Sequence, residues 1–336
     1  MSVINLFDRE HIQRIKNELQ SAEDSKKSDI ERIDEFRDIV SSEQLYSFFA
    51  DKIFEKVTST LEEMRSGDCN KSTFGTLGCI CGSYGMAGAA MLCSSAAYAS
   101  GAGIVKCIIP DSIYPIMAGQ VWEAVYSPMP CSDSGTLRYS DIEQILDQTN
   151  GCTALVVGCG IKVTDDTERI VCELLKRYEK PIILDADGIN CAAKHIDVLK
   201  ARRCTTILTP HPKEMSRLLG GVPVSDIQSS REQTAKEFSK EYGCVLALKG
   251  RGTVITDGSK TIVNPTGNGA LSKGGTGDVL AGITGAYVCQ GIDSFEACAA
   301  AVYAHGYASD ILIHEMSPIG VTATDVVAVL KLLQTR

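Results

Sequence analysis

Gly274-Gly275-Thr276-Gly277-Asp278, followed by an apolar run over residues 279–290, is the stretch from which the fold is read. Glycines and a threonine opening a helix leave several backbone N–H groups uncovered. That end of the helix also carries the positive pole of the helix dipole, so it suits an anion such as phosphate. Asp278 is odd in a plain phosphate cradle, because a carboxylate repels phosphate. It makes more sense as a base that takes a proton from a substrate hydroxyl while a phosphoryl group is transferred. The plainer alternative is an acid favoured in the first turn of a buried helix by the dipole alone.

Outward from this stretch, short apolar runs alternate with helical patterns from residue 74 onward. Strands are predicted over 77–81, 103–109, 154–157, 181–184, 206–208, 245–248 and 253–256. Helices are predicted over 89–99, 140–147, 166–178, 192–201, 213–219, 229–242, 279–290, 294–313 and 323–333. Such alternation predicts an α/β fold: a mostly parallel central sheet with helices on both faces and ligands at the carboxyl ends of the strands. Residues 1–68 differ. Their apolar positions recur at helical spacing (Ile12, Ile15, Leu19; Ile30, Ile33, Phe36, Val40; Leu45, Phe48, Phe49, Val57). They read as a helical N-terminal extension, an appendage or oligomer contact, set before a domain spanning 69–336.

Composition excludes some functions. A net charge of −9 with no basic stripe argues against nucleic acid as a partner. The chain starts without an apolar signal core, so its 14 cysteines are expected in a reducing cytoplasm rather than in disulfides. Many lie in apolar runs (Cys79, Cys107, Cys172, Cys244, Cys289), where a thiol acts as a small hydrophobe. Cys79, Cys81 and Cys159 have no partners at zinc-type spacing, and no metal-ligating residue is assigned. The stretch 77–110 lacks acidic residues but is broken by glycines, serines and Lys106, and no membrane span is expected.

Several polar clusters fall just after predicted strands. Gly82-Ser-Tyr-Gly-Met-Ala-Gly88 and Gly158-Cys-Gly160 serve tight turns or admit a ligand to the backbone; neither has dinucleotide-fingerprint spacing. Asp185-Ala-Asp187-Gly-Ile-Asn190 holds paired acids that suit magnesium through water, or a helix cap. In Thr209-Pro-His211-Pro-Lys-Glu214, two prolines place His211 at a pocket rim, ready for substrate contact. Lys249-Gly-Arg-Gly-Thr253 links two strands with small residues and cations, which suits nucleotide phosphates, as does Asn264-Pro-Thr-Gly-Asn-Gly269 beyond it.

In succession, GSYGMAG, VVGCG, LDADGIN, LTPHPKE, LKGRGTVI, NPTGNG, GGTGDVLAG and AVYAHGYASD resemble the ADP- or ATP-dependent NAD(P)H-hydrate dehydratases, lyases of the ribokinase-like fold. The resemblance runs from about residue 74 to the C-terminus. It implies conversion of the 6S hydrate of NADH or NADPH back to the working cofactor, with ADP or ATP as phosphoryl donor and Mg2+ accompanying the nucleotide. Asp278 would deprotonate the C6 hydroxyl, and the N–H groups of Gly275, Thr276 and Gly277 would hold charge developing on the phosphoryl group. Lys249, Gly250, Arg251, Gly252, Thr253, Asn268, Gly275, Thr276 and Gly277 match the family's nucleotide-binding positions. Ala89, Gly160, His211 and Asp278 match positions that contact the hydrate. A homo-oligomer is expected. Lys213 and Leu271-Ser-Lys273 depart from the family pattern, and Lys273 is expected to bear on the choice between ADP and ATP. The N-terminal extension is too short for the epimerase domain many relatives carry, so dehydratase activity alone is expected. Two other readings stand beside this one: a kinase of the same superfamily acting on a hydroxymethylpyrimidine, thiazole or sugar alcohol, and a non-catalytic nucleotide sensor.

Overall fold

The apolar strand residues alternate between two buried faces, and that alternation explains the architecture. In the computed structural model, which describes residues 42–333, Leu77, Cys79, Val105, Cys107, Ala154 and Val156 join one core. Ile80, Ile108, Leu155 and Val157 join another on the opposite side of the sheet. A strand covered on both faces needs apolar residues at every position, and each fully buried side chain contributes about 1.5–3 kcal/mol.

The sheet has nine strands in the order β3-β2-β1-β4-β5-β6-β7-β8-β9. They are β1 (Thr76–Ile80), β2 (Ile104–Pro110), β3 (Val125–Met129), β4 (Ala154–Val157), β5 (Ile182–Leu184), β6 (Thr206–Leu208), β7 (Val245–Leu248), β8 (Val254–Thr256) and β9 (Thr261–Val263). Pairing is parallel from β3 through β7, and antiparallel from β7 to β9. All seven predicted strands form. The unpredicted strands are the two at the edges. β3 (VYSPM) contains a proline and exposed positions, tolerable only at an edge, and β9 has just three residues.

Helices cover both faces. One side carries α1 (Ser42–Ser66), α2 (Ala87–Ala99), α11 (Thr276–Cys289), α12 (Ser294–Glu315) and α13 (Ala323–Leu333). Along the chain between α2 and α11 lie α3 (Tyr114–Ala118), α4 (Ile142–Gln148), α5 (Asp165–Arg177), α6 (Asp187–Ala193), α7 (Asp197–Ala201), α8 (Pro212–Leu218), α9 (Val224–Ser229) and α10 (Arg231–Tyr242). The single helix predicted over 192–201 is two, α6 and α7, and α6 starts earlier, at Asp187. α3 and α9, both short, were not predicted.

α11 lies unusually close to its neighbours. A Cβ on Gly285 would stand 2.6 Å from Val156 Cγ2, and one on Gly282 would stand 2.2 Å from the Cys93 carbonyl of α2. These two glycines let α11 drop onto the sheet and against α2, setting its N-terminus over the strands' carboxyl ends.

The predicted helical positions from Ile12 to Val40 lie outside the described residues. α1, the last part of the extension, packs into the same core as the sheet through Ala50, Phe54, Val57 and Leu61. The Phe54 ring stacks on Tyr303 at 4.8 Å, and Lys56 pairs with Glu296 at 2.6 Å. No helix among the described residues is long and apolar enough to cross a membrane.

Candidate active site

The chain runs from β1 outward to β2 and β3, then returns to place β4 on the other side of β1. This reversal makes the carboxyl ends of β1 and β4 a topological switch point, where open α/β sheets bind ligands. The loops after these two strands are fastened together: the Gly82 N–H donates to the Cys159 carbonyl at 2.7 Å, and the Ser83 hydroxyl to the Gly160 carbonyl at 2.8 Å. Gly160 has φ +67°, and a Cβ there would stand 2.8 Å from that of Ala89. Ala89 and Gly160, predicted to contact one ligand, are therefore neighbours.

Beside the switch point opens a cavity of about 990 Å³. Its wall includes Lys249, Gly250, Arg251 and Thr253 from the β7–β8 hairpin, Asn268 from the following loop, and Thr276 and Gly277 from the start of α11. Seven of the nine residues predicted to hold a nucleotide thus surround one space. Gly252 and Gly275 do not line it. Gly275 is the N-cap of α11 with φ +92°, and a Cβ there would meet Leu92 at 2.6 Å, so its glycine aims the helix rather than touching the cavity.

Residues without a predicted role hold this wall in shape. Arg231 of α10 donates to the carbonyls of Leu248 and Gly252 at 2.8 and 3.2 Å, clamping the hairpin loop. A Cβ on Gly250 (φ +149°) would stand 2.8 Å from that guanidinium. Asp310 of α12 receives the Gly267 N–H and the Asn268 amide, each at 2.8 Å. Asn268 also caps a short 3-10 turn through the Ala270 N–H, so both ends of its side chain shape the loop. Lys273 lines the cavity, yet its ammonium is tied to the carbonyls of Ile319 and Val321.

Charge gathers around Lys249 of this wall. Asp185, at the end of β5, is 2% exposed. It accepts from Lys249 Nζ at 2.7 Å and from the Thr209 hydroxyl at 2.6 Å. Lys249 also stands 3.9 Å from Glu214 Oε2. Burial alone would lower the Lys249 pKa, but Asp185 and Glu214 outweigh it and raise it, so the cation stays charged. Glu214 is buried, and burial pushes its carboxyl up to about 7 against the pull of Lys249.

Asp278 sits in the first turn of α11. Burial, then the negative charge of Asp185, push its carboxyl up to about 6, while the Cys159 thiol and Lys249 pull it down. A carboxyl in that range is ionised near neutral pH and basic enough to accept a proton. Cys159 was read from sequence only as a residue of the Gly158–Gly160 turn without zinc-type partners. Its sulfur lies 3.9 Å from Asp185 Oδ2 and within 4.8 Å of an Asp278 carboxylate oxygen, an arrangement that no local pattern signals.

His211 lies on the cavity wall as predicted, and it has a second task. It is the N-cap of α8: Nδ1 accepts the N–H groups of Lys213 and Glu214 at 3.1 Å, and Glu214 accepts the His211 N–H at 2.8 Å. Burial, then Lys249, lower the His211 pKa, so the ring is neutral with its Nε2–H facing Glu214 Oε1 at 3.3 Å. His305, in the AVYAHGYASD stretch, also lines the cavity, and burial holds its imidazole down at about 4. Asp187 caps no helix: the N-cap of α6 is Ala186, with no side-chain cap bond. Asp187 starts α6, and its carboxylate accepts the Lys162 N–H at 2.9 Å.

Comparison with known proteins defines the class first. A ribokinase-like superfamily protein of Enterococcus faecalis matches with a TM-score of 0.69 over 80% of this chain and 89% of its own, at 22% identity; the fold is ribokinase-like. The sequence narrows this further. A family model described as NAD(P)H-hydrate dehydratase matches residues 77–332, and the chain belongs to that family. The bifunctional NAD(P)H-hydrate repair enzyme of Thermofilum pendens is 34% identical over 260 residues, 77% of this chain and 49% of that protein. The chain thus spans about half the length of the bifunctional relatives it matches. The ADP/ATP-dependent NAD(P)H-hydrate dehydratase of Bacillus subtilis, co-crystallised with ATP and Mg2+, matches at 31% identity and a TM-score of 0.67. That match covers 79% of this chain and 90% of the other.

Proposed function

We propose that this chain dehydrates the hydrate of NADH or NADPH, with ADP or ATP as phosphoryl donor. The observation that carries this is the position of Asp278: a raised, partly buried carboxyl one residue beyond Gly277, where the helix start meets the cavity. The nucleotide occupies the cavity with its phosphates toward Lys249 and Gly277. The hydrate lies against Ala89, Gly160 and His211, with its C6 hydroxyl at Asp278.

Asp278 removes the hydroxyl proton as the oxygen attacks the terminal phosphoryl group, and the nucleotide leaves with one phosphate fewer. The N–H groups of Thr276 and Gly277 face the charge spread over the transferred group, with Gly275 aiming the helix start at it. Phosphate leaves carbon more readily than hydroxide, so the ring nitrogen's electron pair expels it, and loss of a proton from the neighbouring ring carbon C5 to solvent then restores the double bond. Lys249 donates to Asp185 and limits the rise in the Asp278 pKa.

Magnesium takes hard oxygen donors. Asp185 and Glu214 offer such oxygens, but both face the Lys249 ammonium, at 2.7 and 3.9 Å, so that cation already fills the space between them and the pair does not fit a magnesium ion. Magnesium would come with the nucleotide, held by phosphate oxygens whose charge it would neutralise.

The test is to mix the protein with the hydrate of NADH and either ADP or ATP, and follow the return of dihydronicotinamide absorbance. Return that requires both components supports the reading. A stable phosphorylated product from a hydroxymethylpyrimidine or thiazole, with no return of NADH, would replace it with a kinase of the same fold.

A further inference from the structure

Behind the candidate base, three thiols from distant parts of the chain converge. Cys81 follows β1, Cys93 lies in α2 and Cys159 in the loop after β4, and all three are fully enclosed. Their sulfurs lie within 4.8 Å of one another. Cys159 also belongs to a second group, its sulfur lying within 4.8 Å of carboxylate oxygens of Asp185 and Asp278. The spacing 81, 93 and 159 has no motif regularity, so only the fold assembles them.

Three sulfurs bound at about 2.3 Å to a zinc-sized ion stand about 4 Å apart. The thiols are therefore close to a ligand spacing, on three elements locked by core packing. Thiolates select soft ions and leave magnesium to the carboxylates. We propose that Cys81, Cys93 and Cys159 form a site for a thiophilic cation such as Cd2+, Zn2+ or Cu+, and that its occupancy switches off the neighbouring base. A divalent ion would form three metal–sulfur bonds and release one proton from each thiol to solvent, leaving the site with one net negative charge. No oxidant is needed. The bound Cys159 thiolate then stands within 4.8 Å of an Asp278 carboxylate oxygen and repels it, displacing the base from its place beside Gly277.

The test uses Cd2+ on the full chain with the half-exposed thiols Cys69, Cys131 and Cys204 replaced by serine. One equivalent should produce sulfur-to-cadmium charge-transfer absorption that millimolar Mg2+ leaves unchanged. Cys93→Ala and, separately, Cys81→Ala should weaken binding by more than about 100-fold, beyond the usual effect of losing an outer-shell partner. Cys298→Ala, a buried thiol outside the group, should bind as the parent does. Circular dichroism and nucleotide-protected melting confirm that each variant is folded. Absence of the band in the parent, or its retention in both folded variants, overturns the site. The switch rests on Asp278 being the base and is read separately: Cd2+ should slow turnover in the parent but not in Cys93→Ala. Binding without slowing keeps the site and overturns the switch.

Discussion

The two halves of the site are built differently. The cavity side is mostly backbone: Gly250, Gly267, Gly274 and Gly277 present main chain to the ligand space, and each lies in a contiguous run. The other half is a charge cluster of Asp185, Glu214 and Asp278 around Lys249, whose ammonium joins it to the cavity wall. A backbone half is specified locally, because glycine and a helix start suffice to expose N–H groups. A charge half exists only when distant side chains meet, and its properties then depend on every member.

The largest expected break of this contrast is Asp278→Asn. Turnover should fall by about 10²–10⁴, the usual weight of a general base, while the affinity for ADP or ATP changes only a few-fold. Single-turnover kinetics with calorimetric binding separates the two. The same variant should be more stable than the parent at neutral pH. The Asp278 carboxyl titrates higher folded than unfolded, so the unfolded chain gives up this proton first. The resulting penalty is absent below about pH 4, grows as pH rises and is complete above about 6, at roughly 3 kcal/mol. Thermal melting at pH 4 and at pH 7.5 should show a gain only at the higher pH.

Lys249→Met tests the charge half as a unit. Removing the cation leaves Asp185 and Glu214 facing each other, and breaking such a buried pair costs about 3–5 kcal/mol. Because Lys249 pulls Asp278 and Glu214 downward, its loss should move the acid limb of kcat/KM to higher pH. In the unaltered protein that limb should rise through about pH 6. A profile flat between pH 5 and 8 would remove Asp278 as the titrating base.

The backbone half should respond more mildly. Asp310→Asn loosens the loop carrying Gly267 and Asn268, and should raise the nucleotide KM by roughly 3–10-fold with little change in kcat, since one or two charge-assisted hydrogen bonds weaken. The smallest effect belongs to a change remote from both halves. Thr164 caps α5 by accepting the Thr167 N–H, and Thr164→Ala should cost about 1 kcal/mol of stability with turnover unaltered.

The legibility of the molecule follows the same division. Seven strands were readable because two-sided burial demands unbroken apolar runs, whereas β3 and β9 lie at edges where that demand lapses. The break between α6 and α7 was hidden, since the residues around it remain compatible with a helix. Ala186, with φ +49°, breaks the backbone just before α6, a conformation no sequence pattern announces for alanine. In the site, the Gly274–Asp278 stretch and the hairpin after β7 were visible as local runs. His211 was visible as a rim residue but not as a helix cap. Cys159, Arg231 and Asp310 carried no local mark, because their roles are defined by partners at least 17 residues away.

By itself, the sequence determined an α/β sheet, a helix start shaped for phosphate and an aspartate placed beside it, since apolar periodicity and glycine conformational freedom act over a few neighbouring residues. Only the tertiary structure decided that this aspartate faces Asp185, Lys249 and Cys159, and so titrates near 6 rather than as an ordinary carboxyl. Burial and Coulomb interaction depend on distances between atoms, and the order of residues along the chain does not contain those distances.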